Sequence, residues 1–171
     1  MKIRDILRRD VSRSFVRFDI LVTRGSMVSN SIEAQAMAQT QETLTYIHST
    51  LRWLILSLAI FGTARSFVSM ISVSARYSRL DLGVSRVYAI LLDLQLLVGI
   101  LLVLAVLTVQ EPVPWLHPII MIPAVVIAHF SRRFATRPDR KRHQAQLAIY
   151  LGSLALIVIG LAVIGQLSLP R

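Results

Sequence analysis

Four side chains in this sequence could do chemistry of a recognisable kind, and all are histidines: His48, His117, His129 and His143. Neutral imidazole binds iron and other borderline metals well. There is no cysteine, which excludes disulfides, thiolate metal sites and covalently attached c-type haem. His117 and His129 are 12 residues apart, roughly 18 Å along a helix. That spacing suits two flat macrocycles stacked across a membrane. The same 12 residues turn the two side chains about 120° apart around an ideal helix. Pro123 lies between them and disturbs the turn, so they can point at different neighbours.

The elements that must carry these histidines are apolar blocks. Of 171 residues, 54% are hydrophobic and only 16% are charged, against about 25% charged in a soluble domain. Mean hydropathy is +0.62. Continuous apolar runs occupy residues 46–67, 87–109, 115–134 and 144–167. Each approaches the roughly 20 residues a helix needs to span a bilayer. A single segment in lipid satisfies its own backbone only as a helix, and alternating ten-residue strands are not seen. The expectation is an all-α integral membrane protein, an up-and-down four-helix bundle over 46–171. Residues 1–45 form a separate N-terminal part.

Lys and Arg mark the sides. Arg76, Arg79 and Arg86 lie between blocks one and two, with Arg65 at the edge. The stretch RRFATRPDRKRH lies between blocks three and four, whereas QEPVP between two and three has no Lys or Arg. Positive residues stay on the cytoplasmic face. Loops one–two and three–four are therefore expected inside and both termini outside. The formal charge of +10 is mostly this topology signal and is no argument for nucleic-acid binding. The N-terminal segment fits badly. Residues 1–24 carry Lys2, Arg4, Arg8, Arg9, Arg13, Arg17 and Arg24 among apolar residues at helical spacing. Such a helix lies on an anionic membrane surface, yet the loops put it outside. Three explanations stand: a native start at Met27 or Met37, a targeting segment, or a surface helix that docks to a partner. Residues 26–45 are small and polar and read as a linker.

This topology sorts the histidines into two depths. His48 opens helix one and His117 opens helix three, both near the outer face. His129 closes helix three and His143 opens helix four, both near the cytoplasm. A haem held by two histidines has no open position for oxygen and transfers electrons. Helical bundles hold such cofactors with side chains from facing helices. The plainer reading makes each histidine a polar end group at the membrane interface. Arg52, one turn after His48, either pairs with a haem propionate or snorkels to the interface. Asp93 could accept a hydrogen bond from a histidine, pair with Arg65 or handle protons. Gly62, Gly99 and Gly152 leave room for a flat ring or a close helix contact. Tyr46, Trp53, Trp115 and Tyr150 read as interfacial belt aromatics.

The runs HSTLRW (48–53), LLDLQLLVG (91–99), HPIIMIPAVVIAH (117–129) and RKRHQAQL (140–147) resemble a group of short bacterial four-helix proteins described as cytochrome b-like. More distantly, the plan resembles the dihaem cytochromes of the cytochrome b561 kind. The resemblance covers about residues 44–167 and favours Met37 as the start. It implies b haem ligation by His48, His117, His129 and His143, and residence in a bacterial inner membrane. The function expected is electron transfer through two bis-histidine haems, from quinol or another donor, within a membrane complex. The alternative is a non-haem anchor or quinone-binding subunit of such a complex.

Overall fold

The structure is a computed structural model. It describes the backbone over residues 3–72, 76–108 and 112–165, and side chains from residue 32 onward within those ranges. Every regular element among the described residues is helical: α1 (Ile3–Ile71), α2 (Arg79–Thr108), α3 (Leu116–His129), a 3-10 helix (Phe130–Phe134) and α4 (Asp139–Val163). The chain divides into two units, residues 1–42 and 43–171.

The helices extend beyond the apolar blocks because polar residues build their ends. Residues 26–45, read as a linker, are helical. Ala34, Gln35, Ala36, Met37, Ala38, Gln39, Gln41 and Glu42 are nearly all strong helix formers, which outweighs their polarity. The basic and apolar faces expected over residues 1–24 lie outside the described side chains, as does the expected end of helix four at Leu167. Helix α2 begins at Arg79 rather than Val87 because Ser78 caps it. The Ser78 hydroxyl accepts from the Asp81 amide at 3.3 Å, and the Asp81 carboxylate accepts from the Ser78 amide at 2.7 Å. This is a reciprocal capping box. The Arg65 guanidinium of α1 donates to both carboxylate oxygens of Asp81 and ties the two helices together beside their turn.

The third block is split. It is an α-helix of 14 residues that continues through Pro123, followed by five residues of 3-10 helix. The basic stretch after it is mostly ordered. Only residues 135–138 separate the 3-10 helix from α4, and Arg140, Lys141 and Arg142 sit in α4's first turns. Three helices are long and apolar enough to cross a membrane: Ile32–Ile71, Arg79–Thr108 and Asp139–Val163.

In residues 43–171 apolar side chains fill the core and also cover much of the exterior, while a few polar groups such as Asp81, Gln95, His143 and Ser153 are buried. The buried face of α1 is Leu51, Ile55, Ala59, Gly62 and Ser66, and that of α4 is His143, Gln146, Tyr150, Ser153, Ile157 and Gly160. Both stripes keep the three-to-four spacing of one helix face. Ile55 and Ala59, Tyr88 and Leu92, Ala124 and Ala128, and Tyr150 and Ile157 meet in one core. Meanwhile Trp53, Ile60, Ile90, Leu97, Ile119 and Ile159 are exposed. A contiguous apolar exterior of this kind marks an interaction surface, and apolar helices of this length suit contact with a lipid bilayer.

Candidate functional site

The structure brings His48 and His117 together. Their ring centroids are 6.5 Å apart with planes inclined by 69°. Each ring is held in place by an identifiable neighbour. The His48 ring lies over Gly99 of α2, where an added Cβ would stand 3.4 Å from its Cε1. Gln95, one turn earlier on α2, donates from its side-chain amide to the His48 carbonyl at 3.1 Å. His117 Nδ1 lies 2.9 Å from the carbonyl oxygen of Gly160 on α4. A carbonyl only accepts, so Nδ1 carries the proton and Nε2 is left as the ring's lone-pair nitrogen. That is the tautomer a metal-binding histidine takes when its far nitrogen is anchored to backbone. His48 Nδ1 is buried and has no hydrogen-bond partner among the described residues. Both histidines line a cavity of about 490 Å³ whose other walls include Leu92, Leu96, Gly99, Trp115 and Met121. Those walls are almost wholly apolar.

Two imidazoles bound to one ion, each through a nitrogen at about 2 Å, place their ring centroids roughly 6 Å apart. The observed 6.5 Å is compatible with this and equally with an ordinary edge-to-face ring contact. Glycines at 99 and 160 let the rings sit close to the neighbouring helices. Among the described residues no group of three or more His, Cys, Asp or Glu side chains converges as a metal site. Arg52 lies one turn from His48, half-buried, with its guanidinium carbon 5.6 Å from the Trp53 ring.

The second expected pair is arranged differently. His129 Nε2 is 2.8 Å from Asp93 Oδ1, so of the roles open to Asp93 the structure shows contact with a histidine, while Arg65 pairs with Asp81. His143 is almost fully buried, and both its ring nitrogens lack hydrogen-bond partners among the described residues. Its ring lies 5.1 Å from that of Tyr77. Arg142 stacks on the same phenol with its guanidinium carbon 3.7 Å from the ring centroid. Burial raises the Tyr77 phenol above its ordinary pKa, with Arg142 pulling the other way. His129 and Asp93 line a second cavity, of about 400 Å³, at this basic end; His143 is not part of its wall. Helix α3 therefore aims its two histidines at different neighbours: His117 at α1 and α4, His129 at α2.

Several expectations change here. Tyr150 is no belt aromatic: it is 1% exposed, packed edge-to-face on Tyr88 at 5.1 Å. Its ring fills the space left by Gly62, where an added Cβ would overlap it. Tyr46, Trp53 and Trp115 are exposed, as belt residues are. Gly160, Gln146 and Ser153 were not singled out by type. The signal that marks the last two is their three-to-four spacing with His143 and Tyr150 through an otherwise apolar helix. Ser78 and Asp81 were also passed over; the signal that marks them is their S-x-x-D spacing. Compared with protein-family models, curated proteins and solved structures, the chain matches none.

Proposed function

We propose that this chain is a membrane-embedded b-type cytochrome that passes electrons across or within a bacterial inner membrane. The observation that supports the reading is the His48–His117 pair: two imidazoles with centroids 6.5 Å apart, one with its Nδ1 anchored to backbone, on the wall of an apolar cavity. Haem, when bound there, supplies a one-electron couple. The residues supply the rest. His48 and His117 would hold the group through their imidazole nitrogens, a donor pair suited to electron transfer. Leu92, Leu96 and Met121 exclude water. Arg52, one turn along α1 from His48, would pair with a carboxylate of the group.

A second haem on His129 and His143 is carried by the sequence resemblance. Orphaned ring nitrogens on a buried His143 support it, and it requires His129 to leave Asp93. The four helices are read as an up-and-down bundle. Supporting this, Arg65 near the end of α1 meets Asp81 at the start of α2, and His48, roughly four to five turns earlier in α1, meets Gly99 later in α2. By length, α3 with its 3-10 extension reaches about 30 Å, which makes it the fourth span. By the positive-inside rule the Arg-rich ends of the helices are cytoplasmic.

The test is a visible spectrum of the full chain purified in detergent, with haem counted per protein. A reduced b-type α-band is expected, and His48→Ala and His117→Ala should each remove the haem of this site. Undiminished haem in His48→Ala sinks the site, and no haem at all sinks the cytochrome. One haem per chain, lost in both variants, leaves the His48–His117 site alone. The competing reading is a non-haem anchor or quinone-binding subunit. The His129–Asp93 contact favours it, because a carboxylate–imidazole pair beside a cavity can exchange protons with a quinol.

A further inference from the structure

The cavity of about 400 Å³ at the basic end is not used by the His48–His117 site. Arg86 from α2, Arg132 from the 3-10 helix and Arg142 from α4 all line it. The nearby carboxylates are already engaged. Asp93 contacts His129 and Asp81 is held by Arg65. Arg142 has only a 3.9 Å approach to Asp139, and stacks on Tyr77. Among the described residues neither Arg86 nor Arg132 has a carboxylate within ion-pair distance. Three guanidinium groups against the single wall carboxylate of Asp93 leave the cavity with an excess of positive charge. Its remaining walls are mixed: Ser85, Asp93, His129 and Gln146 are polar, and Leu82, Ala89, Ile90 and Phe134 are apolar. From Ile90 an exposed apolar track continues along one face of α2 through Val87, Leu94 and Leu97.

We infer that this cavity binds the phosphate of an anionic phospholipid, with the acyl chains lying along the α2 track. Guanidinium groups recognise phosphate through paired, charge-assisted hydrogen bonds. Basic pockets between membrane helices hold anionic headgroups for the same reason. A soluble phosphate would use the arginines and leave the apolar track uncovered, whereas a phospholipid satisfies both. The inference rests on the chain lying in a bilayer and goes beyond the cytochrome reading.

The experiment is thermal unfolding of the full chain in an uncharged detergent, titrated with phosphatidylglycerol, phosphatidylcholine or inorganic phosphate, with the haem spectrum recorded on the same samples. Phosphatidylglycerol should raise the unfolding temperature saturably, and the other two should not. Arg86→Gln/Arg132→Gln should weaken the phosphatidylglycerol midpoint by roughly fivefold or more per arginine removed. Arg137→Gln/Arg140→Gln makes the same change in charge off the cavity wall and should leave the midpoint unchanged. Equal losses in both double variants mean diffuse surface attraction and overturn the site. Equal protection by inorganic phosphate overturns the lipid as occupant. Protection by phosphatidylglycerol only in haem-free protein means that a haem carboxylate owns the arginines, and also overturns it. If Arg86→Gln/Arg132→Gln fails to fold, Arg86→Lys/Arg132→Lys keeps the charge and loses the paired geometry; an unchanged midpoint there overturns guanidinium recognition. A lost lipid effect with the spectrum intact refutes only this inference, and a missing spectrum with the lipid effect intact refutes only the cytochrome.

Discussion

At the scale of single residues, the buried polar groups of this protein are specific about their partners. The Tyr88 hydroxyl lies 2.7 Å from Ser153 Oγ, and Ser153 also bonds the Ile149 carbonyl at 2.8 Å. Ser153→Ala leaves the Tyr88 hydroxyl buried without that partner. The expected loss is about 1–3 kcal/mol, read from thermal or denaturant unfolding in detergent. Adding Tyr88→Phe to the same variant should recover part of it, because both polar atoms are then gone. Gly99 is a more sensitive position. The His48 ring lies against it, with 3.4 Å between its Cε1 and an added Cβ, so groups branching beyond that Cβ would meet the ring. Gly99→Val should displace the ring and lower haem per protein while leaving helix content unchanged. Haem content equal to the parent's would mean that His48 is not held against α2 in the working protein.

At the scale of elements, two devices fix how helices meet. One is the Ser78–Asp81 capping box with Arg65 bound across it. Ser78→Ala removes one orphan-amide partner at the α2 start and should cost about 1 kcal/mol. The other is the fit of Tyr150 into the gap at Gly62. Gly62→Ala places a methyl group inside the ring's position. The backbone on either side is helical and cannot yield cheaply, so overpacking of about 1–3 kcal/mol is expected. Gly62→Ala/Tyr150→Leu should cost less than the sum of the two single changes, since a smaller side chain clears the added methyl. Additive costs would show that the two do not share that space. The capping box, passed over in the sequence, was marked there by an S-x-x-D pattern. The Tyr150 fit was not, because tyrosine at the edge of an apolar block looks the same whether it points to the interface or to the core.

At the scale of the whole molecule, residues 43–171 form a unit with its own core, and every histidine lies within it. A chain starting at Met37 should therefore show the same haem content and unfolding temperature as the full chain. A shortened chain that loses haem would tie the N-terminal helix to the site. The absence of cysteine makes sidedness directly testable by introduced thiols. In intact cells Val113→Cys should react with an impermeant maleimide, and Arg137→Cys should react only after lysis. The reverse pattern would invert the topology and put the phosphate-binding end outside.

Composition and pattern alone determined that this chain is helical and apolar, where its apolar blocks lie, and which residue types could ligate a metal. These follow from local chemistry: run length, hydropathy and the donor set of imidazole. Which histidines meet was also partly legible, since helix length and loop charge sort them by depth, and His48 and His117 do come together. What only the tertiary structure decided is the partner of each nitrogen. His117 leans on the Gly160 carbonyl, His129 on Asp93, and His143 on nothing polar among the described residues. Rotation about a helix axis sets these contacts. That rotation depends on which small residues let a neighbouring helix approach, here Gly62, Gly99 and Gly160, and hydropathy carries no record of it.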